Sequence, residues 1–320
     1  MSKQSCKELK SLLKASVDRN YADALLLSGG LDSSILAYIV KPSLSLTISL
    51  GQNAPDVEYA KIVAAMYTKR HKLIKLSYKS LLEVIEKVIR IFKTFDPIEI
   101  RNSSVLLSGI SAAQEDHGIR KLMTGDGGDE LFAGYNYLKR YYMDVSSLDH
   151  QLHKLWESMH FSSLTIGNAI GVKIKTPFLD EDFLTYAKSI DTCEKIGEYS
   201  GQIWGKFILR RCYESELGKQ IAWRSKLAQE QGAGTTNIKG FISKNMDDRV
   251  FHLGIRQALS DGVRIRDKEH LYYYNLFRKF FPAPKNESCP YRRCPECNGC
   301  FNSISQFCRI CGAFPVVSKP

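Results

Sequence analysis

The chain has 320 residues, 44% of them hydrophobic and 25% charged, which suffices for one large α/β domain or two ordinary ones and excludes wholesale disorder. The 45 basic and 34 acidic residues leave a formal net charge of +11, an invitation to a polyanionic partner of unspecified kind. No apolar run approaches the roughly 20 residues of a membrane span, and the polar start lacks a signal-like segment, so the expectation is a cytoplasmic protein that does not enter a membrane.

In chain order, residues 5–18 read as a helix and 22–27 as a short buried strand that runs into a glycine turn at 28–30. A helix follows from Ser33 to about Ile39, then a strand over 44–50, an amphipathic helix over 56–69 and a strand over 71–76. Residues 78–93 carry Leu81, Leu82, Ile85, Val88, Ile89 and Ile91 near helical spacing, and Asp96-Pro97 ends that run. A helix over 103–116 and a strand over 121–123 lead to a second glycine-rich turn. This alternation predicts an α/β fold, a doubly wound parallel sheet with helices on both faces. The pattern turns mostly helical from about 136 to 285, closes at Pro282 and Pro284, and gives way to a Cys-rich tail. The expected organisation is an N-terminal helix over 1–20, one large domain over 21–285 and the Cys-rich tail over 286–320. Charge is unevenly placed: residues 1–204 hold 25 basic and 24 acidic side chains, residues 205–320 hold 20 and 10.

Ser28-Gly29-Gly30-Leu31-Asp32-Ser33-Ser34 sits between a predicted strand and a predicted helix. Glycines there let backbone approach phosphate oxygens, the helix start aims N–H groups at them, and Asp32 suits Mg²⁺. No Gly-Lys-Ser/Thr follows, so this is not a Walker A loop. The plainer reading is a glycine turn with a capping side chain, which the full seven-residue string disfavours. The second turn, Gly125-Asp126-Gly127-Gly128-Asp129-Glu130-Leu131-Phe132-Ala133-Gly134-Tyr135, adds three carboxylates at a strand end and supplies a second half for a Mg–phosphate site.

The first string resembles the pyrophosphate loop of the N-type ATP pyrophosphatases. The second is similar to the signature of asparagine synthetases and β-lactam synthetases. Thr176-Pro177-Phe178-Leu179-Asp180, Gly205-Lys206-Phe207-Ile208-Leu209-Arg210, Trp223-Arg224-Ser225-Lys226 and the segment Lys268–Pro282 extend the resemblance over roughly 15–285. It implies ATP and Mg²⁺ as cofactors, with Asp32 and Asp129 as magnesium ligands. Ser28, Gly29, Gly30, Asp32, Ser33 and Ser34 would cradle pyrophosphate, and Leu27, Ile48 and Gly125 would line the adenosine pocket. Catalytic roles fall to Asp126, to Lys226 and, on a substrate-side loop at 96–101, to Arg101. The implied reaction is an AMP- and pyrophosphate-forming amidation of a small-molecule acid by ammonia.

Three departures shape that expectation. Only about 20 residues precede the first strand, so no glutaminase domain is expected, and ammonia would come free or from a separate glutaminase subunit. The family's D-R-x-S-M and G-x-E-x-R-x-P-F are replaced by Ser162–Gly171 and by Val172-Lys173-Ile174-Lys175, which weakens aspartate as acceptor. Six cysteines, Cys289, Cys294, Cys297, Cys300, Cys308 and Cys311, crowd the tail and read as metal ligands, not disulfides. Cys289, Cys294, Cys297 and Cys300 resemble the zinc site of 7-cyano-7-deazaguanine synthases, whereas Cys294, Cys297, Cys308 and Cys311 make two knuckles of a zinc ribbon. Four of the six would bind Zn²⁺, with an Fe–S cluster less favoured, and the ribbon is slightly preferred because Gly312 follows the second pair. A second functional reading is modification of a nucleobase or tRNA, the tail gripping RNA through Tyr291, Arg292, Arg293, Phe301, Phe307 and Arg309.

Overall fold

A computed structural model of the chain describes residues 3–51, 54–301 and 306–316. They fall into two compact units. The first takes in 1–49, 54–74 and 109–228, the second 50–53, 75–108 and 229–320. Among the described residues no helix is long and apolar enough to cross a membrane.

The chain runs through α1 (Lys3–Arg19), β1 (Ala24–Leu26), α2 (Leu31–Val40), β2 (Leu44–Leu50), α3 (Asp56–Tyr67) and β3 (Arg70–Leu76). It continues through α4 (Tyr78–Phe92), α5 (Pro97–His117), β4 (Lys121–Met123), α6 (Gly128–Leu131), α7 (Val145–Glu157), α8 (Ser162–Ile170) and β5 (Lys173–Lys175). The expected parallel sheet is present, five strands in the order β3-β2-β1-β4-β5. Two differences from expectation have local causes. α5 starts at Pro97 instead of 103, because proline is pre-set for a first helical turn and lacks only an N–H that turn would leave unpaired. Lys173–Lys175, expected within a helical stretch, adds the fifth strand by pairing with Lys121–Met123.

The sheet's core is apolar on both sides. Leu9, Leu13 and Val17, one helical face of α1, are buried with Leu25 and Leu27 around β1, Leu31 and Ile35 of α2, and Ile208 and Leu209 of the helix Phe207–Leu217. A disulfide joins Cys6 of α1 to Cys212 of that last helix. The antiparallel hairpin β6 (Ile196–Tyr199) and β7 (Gln202–Gly205) delivers Lys206 to the start of the same helix.

In the second unit the apolar stripe Leu81, Ile85, Val88 and Ile89 of α4 is buried. Phe95 sits edge-on to Tyr274 and Phe277 of the helix Lys268–Phe280 and stacks on His270. The tail follows, with the small hairpin β8 (Arg292–Arg293) and β9 (Cys300–Phe301).

Candidate functional site

Strand order reverses between β1 and β4, which pair in parallel through Leu25 and Met123. Open α/β sheets bind ligands beyond the carboxyl ends of strands at such a reversal, and both glycine-rich loops leave there. Their approach is close enough to demand glycine. A Cβ on Gly29, whose φ is +67°, would lie 2.4 Å from the Ala60 nitrogen, and a Cβ on Gly128 would lie 2.4 Å from Asp32 Cγ. The first loop is organised by its own hydroxyls. Ser34 Oγ donates to the Gly30 carbonyl at 2.7 Å, and the Gly30 N–H donates to Ser28 Oγ at 3.2 Å. Leu27 and Ile48 are buried beside the loops.

Two carboxylates and two ammonium groups meet at this place. Lys206 Nζ binds Asp32 Oδ2 and lies 2.7 Å from Asp129 Oδ1; Lys226 Nζ is 3.0 Å from the same Asp129 oxygen. Burial alone would raise the Asp129 carboxyl, but Lys206 and Lys226 outweigh it and hold it down to about 2. Burial raises Asp32, against the pull of Lys206 and with the help of the neighbouring Asp129 charge. Burial opposes the charge on Lys206, and Asp129 and Asp32 more than restore it. Asp32 Oδ1 is buried and has no hydrogen-bond partner. An oxygen left over in that way, on a carboxylate facing a second one, fits a hard divalent cation.

Asp126 is held differently. Its Oδ2 accepts hydrogen bonds from Thr124 Oγ1 at 2.7 Å and from Ser163 Oγ. Burial pushes its carboxyl above the usual range; the hydroxyls of Ser163 and Thr124 oppose that, and the Asp129 charge adds to it. Lys226 and Arg224 lie on a stretch without regular structure, so other groups must place them. Arg224 bridges Asp56 Oδ1 at 2.5 Å and the Ser28 carbonyl at 3.2 Å, and lies 4.0 Å over the Tyr59 ring. Trp223 stacks on Tyr199 at 3.8 Å and donates to Glu214. Lys226 Nζ rests 3.9 Å over the Tyr135 ring, whose hydroxyl donates to Glu130 Oε1 at 2.5 Å. The first unit thus gathers Leu27, the whole Ser28–Ser34 loop, Ile48, Gly125, Asp126, Asp129 and Lys226. Arg101 belongs to the second unit, where Glu230 takes its Nε at 3.0 Å and Glu269 its Nη1 at 3.1 Å.

A second cluster lies in the tail. The sulfurs of Cys294, Cys297, Cys308 and Cys311 are all within 4.8 Å of one another, and all four residues are buried. The two halves repeat one backbone pattern. The N–H four residues past the first cysteine donates back to that cysteine's carbonyl, Asn298 to Cys294 and Gly312 to Cys308, each at 2.8 Å. Both returning residues adopt positive φ, +56° and +74°. The N–H groups of Glu296 and Gly299 point at the sulfurs of Cys294 and Cys297, each at 3.4 Å. Four converging thiols of this kind are the donor set of a tetrahedral soft-metal site. The alternative grouping is corrected by the structure. Cys289 and Cys300 are joined to each other as a disulfide, so neither belongs to the tetrad. Cys300 is paired across the hairpin with Arg293, four residues past Cys289.

The sequence matches the Asparagine synthase family over residues 8–165 and 163–293. The chain belongs to the asparagine synthase family. Relatives include the glutamine-hydrolysing asparagine synthetase 1 of Arabidopsis thaliana, 30% identical over 81% of this chain and 48% of its own length. Another is the glutamine-hydrolysing asparagine synthetase B of Escherichia coli, 28% identical over 88% of this chain and 55% of its own. The chain spans about half the length of the curated relatives it matches.

The asparagine synthase match stops at residue 293, one position before the first ligand of the tetrad. Within the matched part, sequence reading assigned no role to Lys206, although it is the residue that touches both candidate magnesium carboxylates. The sequence shows only Gly205-Lys206 within its motif; the structure sets Lys206 just past β7 with φ of +55°, where a lysine rarely sits. Ser163 was read only as part of a lost acidic motif, and its contact with Asp126 gives that altered segment a positive task.

Proposed function

We propose that this member of the asparagine synthase family is an AMP- and pyrophosphate-forming amide ligase that adenylates an acceptor carboxylate and transfers ammonia to it. The observation that carries the reading is the meeting of Asp32, Asp129, Lys206 and Lys226 at the two glycine loops. Asp32 and Asp129 would hold Mg²⁺, which when bound would neutralise charge on the pyrophosphate. Gly29, Gly30 and the Ser28, Ser33 and Ser34 hydroxyls would receive the pyrophosphate oxygens, and Leu27, Ile48 and Gly125 the adenosine. Lys206 exchanges its carboxylate partners for phosphate oxygens as ATP enters, and Lys226 stabilises charge gathering on the α-phosphate.

In the first step an acceptor carboxylate oxygen bonds to the α-phosphorus and the bond to the β,γ-pyrophosphate breaks. In the second, ammonia bonds to the acyl carbon, AMP leaves with its oxygen, and the surplus proton passes to the Asp126 carboxylate. Its raised proton affinity suits it to that acceptance. Zn²⁺ is the metal we assign to Cys294, Cys297, Cys308 and Cys311, as a structural ion in a closed four-thiolate site.

A second reading, modification of an RNA base, is favoured by exposed Tyr291 and Phe314 flanking the knuckles and by exposed Arg292 and Arg309. It is opposed by neighbouring arginines already donating to backbone, Arg293 to the carbonyls of Glu287 and Asn298 and Arg266 to that of Cys311. ATP–pyrophosphate exchange separates the two. Exchange driven by aspartate supports the ligase; exchange driven only by RNA overturns it.

A further inference from the structure

Both carboxylates read above as magnesium ligands are already held by one ammonium group. Lys206 Nζ binds Asp32 Oδ2 and lies 2.7 Å from Asp129 Oδ1. Lys226 Nζ lies 3.0 Å from the same Asp129 oxygen, and Asp32 Oδ1 is left buried with no hydrogen-bond partner.

Lys206 is built into this place. Its backbone N–H donates to the Phe132 carbonyl at 2.7 Å, and its φ of +55° turns the chain from β7 into the helix Phe207–Leu217. Its stem passes so close to the second glycine loop that a Cβ on Gly134 would lie 2.4 Å from Lys206 Cε and 2.0 Å from Asp129 Oδ1. The side chain is 6% exposed, so water does little to screen its charge from the two carboxylates. Arg210 ties this corner to the stretch that carries Lys226. Its Nε donates to the Gly205 carbonyl at 2.9 Å, and its Nη1 donates to the carbonyls of Ala222 and Arg224 at 2.6 and 3.0 Å.

The charges of Asp32, Asp129, Lys206 and Lys226 sum to zero. A divalent cation arriving alone meets no net attraction from them and must drive out an ammonium that is already paired and shielded. A nucleotide alters that balance. Its phosphate oxygens offer Lys206 and Lys226 new partners, and the carboxylate oxygens so released turn to a hard cation. Without the Lys206 charge, the remaining three groups would carry one net negative charge and face the cation unoccupied.

We propose that Lys206 is a placeholder for magnesium: in the nucleotide-free chain its ammonium keeps Asp32 and Asp129 from the metal, and the metal is admitted only with the phosphates that draw Lys206 away. This rests on the reading above of Asp32 and Asp129 as the magnesium ligands. Metal and nucleotide binding then reinforce each other by the same factor, and Lys206 is a source of that coupling.

The test uses the full chain without nucleotide and Mn²⁺ as the probe, with free ion counted by electron paramagnetic resonance. Lys206→Met keeps the length of the stem and removes the charge. It is expected to bind one Mn²⁺ about tenfold or more tighter than the unaltered chain. Adding Asp32→Asn to that variant should abolish the gain, and Lys206→Arg, which keeps the charge, should not produce it. Millimolar Mg²⁺ should raise the Tm of Lys206→Met. The unaltered chain supplies a measurement that needs no Lys206 variant. Its Tm is expected to stay level with Mg²⁺ alone and to rise when the non-cleavable α,β-methylene analogue of ATP is added with it. A rise with Mg²⁺ alone that Asp32→Asn removes overturns the proposal. So does a folded Lys206→Met that binds Mn²⁺ no better than the unaltered chain. If Mn²⁺ still binds with the analogue in that case, and Asp32→Asn weakens it, the magnesium reading stands and the placeholder alone is lost. If Mn²⁺ bound with the analogue is indifferent to Asp32→Asn, both fall together.

Discussion

The two units differ in how the charges at their centres are matched. In the first, carboxylates and ammonium groups crowd one another at the glycine loops, and an oxygen of Asp32 is left without a partner. In the second, Arg101 is held between two glutamates, and Arg266 and Arg293 donate into backbone carbonyls. Surplus capacity of the first kind invites a ligand; matched capacity of the second kind holds backbone in place. The contrast also relocates the meaning of the +11 net charge. Several basic side chains of the last third donate to backbone carbonyls, while Lys206 and Lys226, also from that third, meet the carboxylates at the glycine loops.

That contrast is broken most directly at Asp32. Asp32→Asn removes a candidate magnesium ligand and one partner of Lys206, and is expected to lower ATP–pyrophosphate exchange by about 100-fold or more. An equal loss from Arg101→Lys, in an assay of the exchange step alone, would erase the distinction between the units. Gly29→Ala comes next. The new methyl would press on the Ala60 nitrogen with φ held at +67°, and urea unfolding should show a loss of about 2–4 kcal/mol.

Lys195 sharpens the comparison from within the first unit, since it is a buried cation with little to answer it. It is fully buried, lies 4.7 Å from the centre of the Trp156 ring, and reaches the Lys188 carbonyl only at 3.4 Å. Burial pushes its pKa down to about 8, with Asp149 and Asp191 opposing. A folded pKa below the ordinary 10.5 means that the unfolded chain binds more protons between those values. This group therefore makes stability rise as pH goes from 8 to 10.5, and its cost is fully present below 8. Lys195→Met is expected to stabilise the protein by about 1–2 kcal/mol at pH 7, with the advantage fading toward pH 10.5 in parallel denaturation curves. The smallest effect is at Tyr135. Removing the ring beneath Lys226 by Tyr135→Leu should lower kcat about three- to tenfold, while Tyr135→Phe keeps most of the activity.

Much of the fold was legible because its signals are local. The apolar run around Leu25, the glycine turns and the alternation of strands with helices are each contained in a short window. The same holds for the two loops, whose composition states their chemistry. What could not be read depends on partners far along the chain. Lys206 meets Asp32 across 174 residues, and Arg224 meets Asp56 across 168. Ser163 meets Asp126 across 37 residues, a contact that no local pattern around Ser163 encodes. Cysteine spacing allowed two groupings that shared Cys294 and Cys297. The meeting of four thiols and the bond between Cys289 and Cys300 separate them, and neither is a property of spacing.

The Cys6–Cys212 disulfide makes the first unit a covalent ring. Its ends are 206 positions apart, and closing so long a loop removes about 5 kcal/mol of chain freedom from the unfolded state in the simplest entropic treatment. The excursion 75–108 into the second unit hangs inside that ring, while 229–320 lies outside it. A protease cut anywhere within the excursion would therefore leave one particle on a non-reducing gel and two fragments on a reducing one. A cut between Ala228 and Cys289 would release the tail portion in both. The redox state of this single bond therefore decides the outcome of a cut within 75–108 and has no bearing on a cut between Ala228 and Cys289.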